Sequence, residues 1–483
     1  MTLQEVIKQG LALGLEEVEV YVSTSESNSL KLNDGELNAY NMKEIFGVSI
    51  RGLKNGKMGY VYTETLEDEN VLAILKQLVE NVNSLETNEP EFMFAGGASY
   101  QSVPEVKSDY KEHTTQEKID LLKKINNELL AKSEKIVKVG YCQYSESSQK
   151  IQIMNSKGLN LEKSYSYIST FGGALAADNG STFIGMSGDV NTKFADLEVD
   201  RIIDEAAKSA LDQIGAGFVK SGHYPVVLHR DVATSILQAF TQVFQADAAL
   251  KKLTILTDKI GTKVFGENIT IVDDPYYQDA LIQTPFDDEG VPCKTKLVVE
   301  NGVFNGFLHN LKTANFFKTE PTGNGFKMGV AGGVSTRPTN LFIKEGNKTK
   351  DEIIATVEDG LFITDVQGLH AGLNPISGDF NVQSKGFLIK NGKLDQPVTL
   401  FVTSGNFYEL LNNVEEIGND IEKRFTGVAA PTLKIKSLAI SGRIIEIALC
   451  VLTNIFILTV LPLVKFSMIA SSTGLNIYAP FTM

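Results

Sequence analysis

The stretch "KGFLIKNGKLDQPVTLFV", Lys385 to Val402, sets two apolar-rich runs on either side of Asn391-Gly392. Asn-Gly between β-forming runs is a strong hairpin signal, because both central residues of the tight turn need positive φ. The same pattern recurs upstream in "KLVVENGVFNGFL", "TNLFIKEG" and "GLFITDV". From about Gly222 the chain therefore reads as mainly antiparallel sheet, or a partly closed barrel. Two helices are expected within it: one in "LHRDVATSILQAFTQVFQADAAL", Leu228 to Leu250, and one over Asn406 to Ile417.

Towards the N-terminus the pattern changes. A helix is expected from Leu3 to Leu13, then extended segments broken at "NDG" (Asn33 to Gly35) and "KNGK" (Lys54 to Lys57), then a helix from Glu67 to Val82. The order recurs as a helix from Gln116 to Lys132, strands from Lys138 to Met186 and a helix from Asp200 to Ile214. "SES" occurs in both halves, at Ser25 to Ser27 and Ser145 to Ser147. A tandem duplication of a helix–strands–helix unit is expected. The fold class is α+β: an N-terminal α/β domain over residues 1–220, a C-terminal β-rich, barrel-like domain over 221–442, and an apolar extension over 443–483.

A length of 483 residues suits two or three domains, and 43% hydrophobic with 22% charged residues lies in the soluble globular range. A net charge of −14 argues against a phosphate-binding surface, so nucleic acid is not expected as a ligand. Cys142, Cys293 and Cys450 are far apart, which suggests neither a disulfide framework nor a thiolate zinc site and suits a cytoplasmic location. No basic stretch precedes an apolar run at the N-terminus, so no signal peptide is expected. Ile447 to Val464 is an uncharged run of membrane-span length at the short limit, weakened by Asn454 and Pro462. Membrane contact is expected only through that segment; it could equally pack on the body or an interface, or be a non-native extension.

The five histidines form no His-Glu-x-x-His pair, and His223 and His229, about 20 Å apart on an extended segment, cannot share a metal. No nucleophile elbow, phosphate loop or dinucleotide fingerprint is present. Two clusters remain. In "TPFDDEGVP", Asp287, Asp288 and Glu289 suit a hard cation or acid–base work, but three adjacent acids with a glycine are more often a solvated turn. In "GLHAGLNPISGDF", Gly368 to Phe380, His370, Asn374 and Asp379 lie among glycines in a loop that could approach a ligand, or simply connect two strands.

These motifs, together with "GFLIKNGKLDQPVTLFVTSGNFYELLNNVEEIGND" and "APTLKIKSLAISG", resemble in order and spacing the TldD/PmbA family of metallopeptidase-related proteins, and within it the PmbA (TldE) branch. The likeness runs to about Gly442 and leaves the tail unexplained. It implies a cytoplasmic protein that works in dimers on peptide substrates. TldD-type members carry His-Glu-x-x-x-His on a helix, two metal ligands and a base, which the PmbA-type partner lacks. Laid on that pattern through "YPVVL", the three positions fall on Gln238, Ala239 and Val243. None is a zinc ligand or a base.

On a helical wheel Val232, Ile236, Leu237, Phe240, Val243 and Phe244 form one apolar stripe, making Val243 a packing residue on a regular helix. Asp231 is the expected N-cap and His229 a structural histidine. The expectation is a non-catalytic subunit binding no cofactor itself, with zinc in a TldD-like partner and peptide contacts from His370, Asn374, Asp379, Asp287 and Glu289. The alternatives are a self-sufficient homodimeric metallopeptidase with an atypical site drawn from His370, Asp379 or the Asp287 to Glu289 cluster, and a non-enzymatic peptide-binding adaptor whose apolar tail directs it to a membrane.

Overall fold

The computed structural model describes residues 1–86 and 90–442. The first half is built twice from the same unit. α1 (Leu3–Ala12), β1 (Glu17–Asn33), β2 (Glu36–Lys54), β3 (Lys57–Thr63) and α2 (Asp68–Ser84) are followed by α3 (Thr115–Ala131), β4 (Ile136–Asn155), β5 (Asn160–Asp178), β6 (Ser181–Asn191) and α4 (Val199–Leu211). Asp34-Gly35, Asn55-Gly56 and Asn179-Gly180 all have positive φ, the conformation that two-residue hairpin turns require. Thr2 with Glu5, and Thr114 with Glu117, form capping boxes that start the leading helix of each unit.

The six strands form one antiparallel sheet in the order β3-β2-β1-β4-β5-β6. The two units meet where β1 pairs with β4, and there Ser27 lies opposite Ser147. The repeated "SES" therefore marks the centre of the sheet. Alternation along β1 separates its faces. Val18, Val20 and Val22 join Leu75 and Leu78 of α2 in one core, while Leu122, Ile125 and Leu129 of α3 pack with Ile168 and Ala206 in a second. Both sets of helices leave the opposite face, with Tyr21 and Ser23, uncovered by helix.

The second half begins with β7 (Gly222–Leu228), α5 (Arg230–Phe240) and α6 (Ala246–Leu250), then β8 (Ile271–Asp273), β9 (Lys296–Glu300), β10 (Val303–Phe304), α7 (Leu311–Phe317), β11 (Gly325–Lys327), β12 (Val334–Thr336), β13 (Leu341–Ile343) and α8 (Lys350–Ala355). It continues with β14 (Asp359–Gln367), β15 (Asp379–Lys390), β16 (Lys393–Asn406), α9 (Phe407–Asn412), β17 (Val414–Ile417), β18 (Val428–Ala429) and β19 (Leu433–Ser441). β16, β15, β14, β7 and β19 follow one another, and β19 pairs back onto β16, closing a five-stranded barrel. Only β14 and β7 run parallel within it. The opening stretch is the β15–β16 hairpin, with Lys390 opposite Lys393 across Asn391-Gly392. A second sheet, β10-β9-β8-β13-β18, lies in the same half.

Three expectations for this half need correction. The helix over Leu228 to Leu250 is not continuous: α5 ends at Phe240, a 3-10 turn covers Thr241–Phe244, and α6 follows. The Thr241 hydroxyl donates to the carbonyls of Leu237 (3.0 Å) and Gln238 (2.8 Å), competing with the regular helical ladder at the break. The N-cap is His229, whose Nδ1 accepts from the Asp231 backbone N–H at 3.3 Å, and Asp231 lies in the first turn. The helix expected to Ile417 stops at Asn412, because Val414–Ile417 instead pairs with β19, where a free strand edge outweighs helical periodicity.

Ile447 to Val464, the span candidate, lies outside the described residues. Among the described residues no helix is long and apolar enough to cross a membrane.

Candidate functional site

The uncovered face of the N-terminal sheet does not meet solvent everywhere. Across from it stand the segments 282–288 and 326–340, and between the two lies a cavity of about 920 Å³. Tyr21, Ser23 and Ser25, at every second position of β1 as strand geometry dictates, form one wall with Lys163 and Tyr165 of β5. Asp288, Phe326, Lys327 and Arg337 form the other. That size is typical of a site for an organic ligand.

The charges in this cavity are specifically arranged. Lys163 Nζ donates to the Phe286 carbonyl at 2.9 Å, pairs with Asp288 Oδ1 at 3.3 Å and lies over the Phe286 and Phe326 rings. Lys327 is 6% exposed; its ammonium reaches Ser49 Oγ at 3.2 Å and lies over the Tyr21 ring. Burial, then the nearby Arg51 charge, pushes its pKa down to about 8. Arg337 lies over the Phe326 ring and donates to the Lys327 carbonyl at 3.2 Å. Burial, then the charge of Asp288, raises the Tyr21 phenol well above its usual range.

The acidic loop departs from the solvated-turn reading. Asp287, Asp288 and Glu289 are 0%, 6% and 4% exposed. Asp287 Oδ1 accepts from the N–H groups of Glu289 and Val291, both at 2.9 Å, and Oδ2 from that of Gly325 at 2.8 Å. Burial, reinforced by the charge of Glu289, raises its pKa despite those bonds. Glu289 accepts from Leu311 N–H at 2.8 Å and pairs with Arg51 Nη1 at 3.3 Å; Arg51 also holds Glu19, at 2.6 Å. This ionic cluster joins the sheet to the C-terminal half, as Arg424 with Asp189 does elsewhere, at 2.8 Å. Neither Asp287 nor Glu289 lines the cavity, whereas Asp288 does. The carboxylates avoid solvent because backbone N–H groups and a guanidinium replace water.

The Gly368–Phe380 loop joins β14 to β15 and does not line the cavity. His370 is exposed. Asn374 Oδ1 accepts from Ile376 N–H (3.0 Å) and Ser377 N–H (3.3 Å), closing an Asx turn. Asp379 accepts from Ser377 Oγ at 2.8 Å and from Asn406 Nδ2 at 2.9 Å, and these bonds, Asn406 first, lower its pKa. Asn406 in turn caps α9. The polar atoms of Asn374 and Asp379 thus shape the loop, and Leu369 and Leu373 pack it on the barrel core.

At the three positions laid on the metal motif, Gln238 is exposed, Ala239 half-buried and Val243 fully buried in the core with Phe240 and Phe244. An amide, a methyl and an isopropyl group do not fit a catalytic zinc, which needs imidazole, carboxylate or thiolate ligands. Among the described residues no three His, Cys, Asp or Glu converge as a metal site. The helix nevertheless breaks where a His-Glu-x-x-x-His pattern would need distortion, since side chains five apart on a regular helix diverge by roughly 140°.

Sequence reading missed Lys163, Lys327 and Arg337. They are distant in the chain, and the available signal was the glycine-rich run Gly329 to Gly333 between two cations.

The duplicated α/β half and the closed barrel follow in order the domains of a metallopeptidase-related class of proteins. Residues 18–82, 109–214 and 221–442 match, in order, the PmbA/TldA metallopeptidase domain 1, central domain and C-terminal domain. A solved Thermotoga maritima protein, named for a suggested role as modulator of a DNA gyrase, is 33% identical, with a TM-score of 0.84 over 91% of this chain and 100% of that one. The chain belongs to the PmbA/TldD family. A metalloprotease of Archaeoglobus fulgidus is 29% identical over 82% of this chain and 90% of its own length. TldE from Thermococcus kodakarensis has the same fold, with a TM-score of 0.82 at 23% identity over 91% of this chain and 99% of that one.

Proposed function

We propose that this chain is a PmbA/TldE-like, non-catalytic subunit of a cytoplasmic TldD/TldE-type metallopeptidase system acting on peptides. The observation that carries the reading is the packing of Val243: the position laid on the second metal ligand belongs to the hydrophobic core, behind Gln238 and Ala239. The zinc and the general base would come from a TldD-like partner. This chain would contribute peptide-facing surface, including the loop that Asn374 and Asp379 shape around His370 and the cavity between sheet and barrel half. Asp287 and Glu289 support that surface from behind.

The test is to purify the chain alone and mixed with a TldD-like chain carrying His-Glu-x-x-x-His, then measure mass in solution, zinc content and hydrolysis of an unstructured peptide. The expected result is a one-to-one complex, with zinc and hydrolysis only when the partner is present. Stoichiometric zinc with hydrolysis by this chain alone, abolished by a chelator, would overturn the reading in favour of a self-sufficient homodimer.

A further inference from the structure

We propose that the cavity between the N-terminal sheet and the 326–340 segment is a carboxylate-binding site, taking the anionic end of a peptide between Lys163, Lys327 and Arg337. This rests on the reading above that the chain handles peptides, and it specifies where and by which chemistry. On a chain of net charge −14, three cations line one cavity. Asp288 neutralises one of them, by its pair with Lys163, and its other oxygen is taken by the Lys327 backbone N–H at 3.0 Å. Lys327 and Arg337 pair with no carboxylate of the described residues within 4.0 Å. The other two acids at the cavity, Glu162 and Glu105, are exposed, and Glu162 is held by Lys150 at 2.9 Å.

A buried ammonium bonded only to a hydroxyl and a ring face is costly, and the depressed pKa of Lys327 expresses that cost. A bound anion offsets it and stabilises the charged form. Arg337, whose guanidinium lies over the Phe326 ring, carries a planar fork of donors suited to a carboxylate. The apolar and aromatic remainder, from Tyr21, Tyr165, Phe326 and Val330, suits an organic chain rather than a bare inorganic ion. The carboxylate could be a chain terminus or an acidic side chain, and the probes below separate the two.

The chain contains no tryptophan, so the emission of a Trp-bearing pentapeptide reports the peptide alone. Three versions are titrated into the full chain at pH 7: free C-terminal acid, C-terminal amide, and amide with one internal Glu. The free acid is expected to bind at least about tenfold more tightly than the plain amide. Arg337→Gln and Lys327→Met should each weaken acid binding about tenfold and bring the acid-to-amide ratio towards one. Arg337→Gln changes an exposed residue, and circular dichroism confirms folding of both variants.

If the internal-Glu amide matches the free acid, the carboxylate site stands and a side chain is its source. Equal binding of acid and plain amide overturns the carboxylate assignment while leaving peptide binding intact. Acid binding unchanged in both folded variants overturns the location. Absence of binding by all three peptides overturns both this proposal and the peptide reading of the cavity.

Discussion

Replacing Arg51 with Leu tests the ionic cluster that joins the sheet to the barrel half. In the native chain its guanidinium lies 2.6 Å from Glu19 and 3.3 Å from Glu289, and the two carboxylate side chains are only 2% and 5% exposed. Although burial opposes the charge, these two acids hold the Arg51 pKa above its ordinary value. The leucine variant leaves both carboxylates buried without a counter-charge, a situation that costs about 3–5 kcal/mol. At about 2–4 °C per kcal/mol for a unit of this size, the melting temperature should fall by about 6–20 °C.

The assay is thermal and urea unfolding followed by circular dichroism at pH 7 and pH 5. Burial already raises the Glu289 pKa while the Arg51 charge holds it down, so without Arg51 it rises further and the folded variant gains protons as pH falls. The gap between native and variant chains should therefore narrow at pH 5. Combining Arg51→Leu with Glu289→Gln should cost less than the sum of the single changes, by about 1–3 kcal/mol, because the two residues share one interaction. A loss below about 1 kcal/mol at pH 7, or a gap independent of pH, would refute the argument that this arginine carries two buried acids.

Val243→His should destabilise the chain by about 2–4 kcal/mol, since a fully buried core position would receive a larger polar ring without a partner; urea midpoints measure it. His309 is 6% exposed with its pKa lowered by burial to about 4. An unfolded chain takes up that proton near pH 6.5 while the folded one refuses it, so stability falls as pH drops from about 6.5 towards 4. His309→Gln should lose that share of the pH slope, of the order of 2–3 kcal/mol across the window, in urea unfolding at matched pH values. Asn406→Ala removes both the cap of α9 and the bond to Asp379, and should cost about 1–2 kcal/mol in the same assay.

Much of the architecture was legible because its signals are local. Asn391-Gly392, Asn55-Gly56 and Asp34-Gly35 announce hairpins since only such pairs take two successive positive φ values readily. Thr2 with Glu5 marks a helix start through bonds that span three residues. The repeated order of helix, strands and helix follows from periodicities of 3.6 and 2, and from it came the duplicated half. The ordered motifs also sufficed to place the chain in its family.

Where neighbours distant in sequence decide, the reading stopped. Val414–Ile417 continues a helical pattern in the sequence, yet it is a strand because the β19 edge is free to receive it. "DDEG" looks like a solvated turn, and only the arrival of Arg51, Gly325 N–H and Lys163 from other elements makes burial of three acids tolerable. The cavity is the clearest case. Tyr21, Lys163, Lys327 and Arg337 carry no mutual spacing, since strand pairing within the duplicated sheet and its docking against the barrel half bring them together. Local chemistry determined turns, caps and the alternation of faces, while the charge and solvation of the candidate site were set by tertiary contacts, because electrostatic and desolvation energies depend on distance in space and not along the chain.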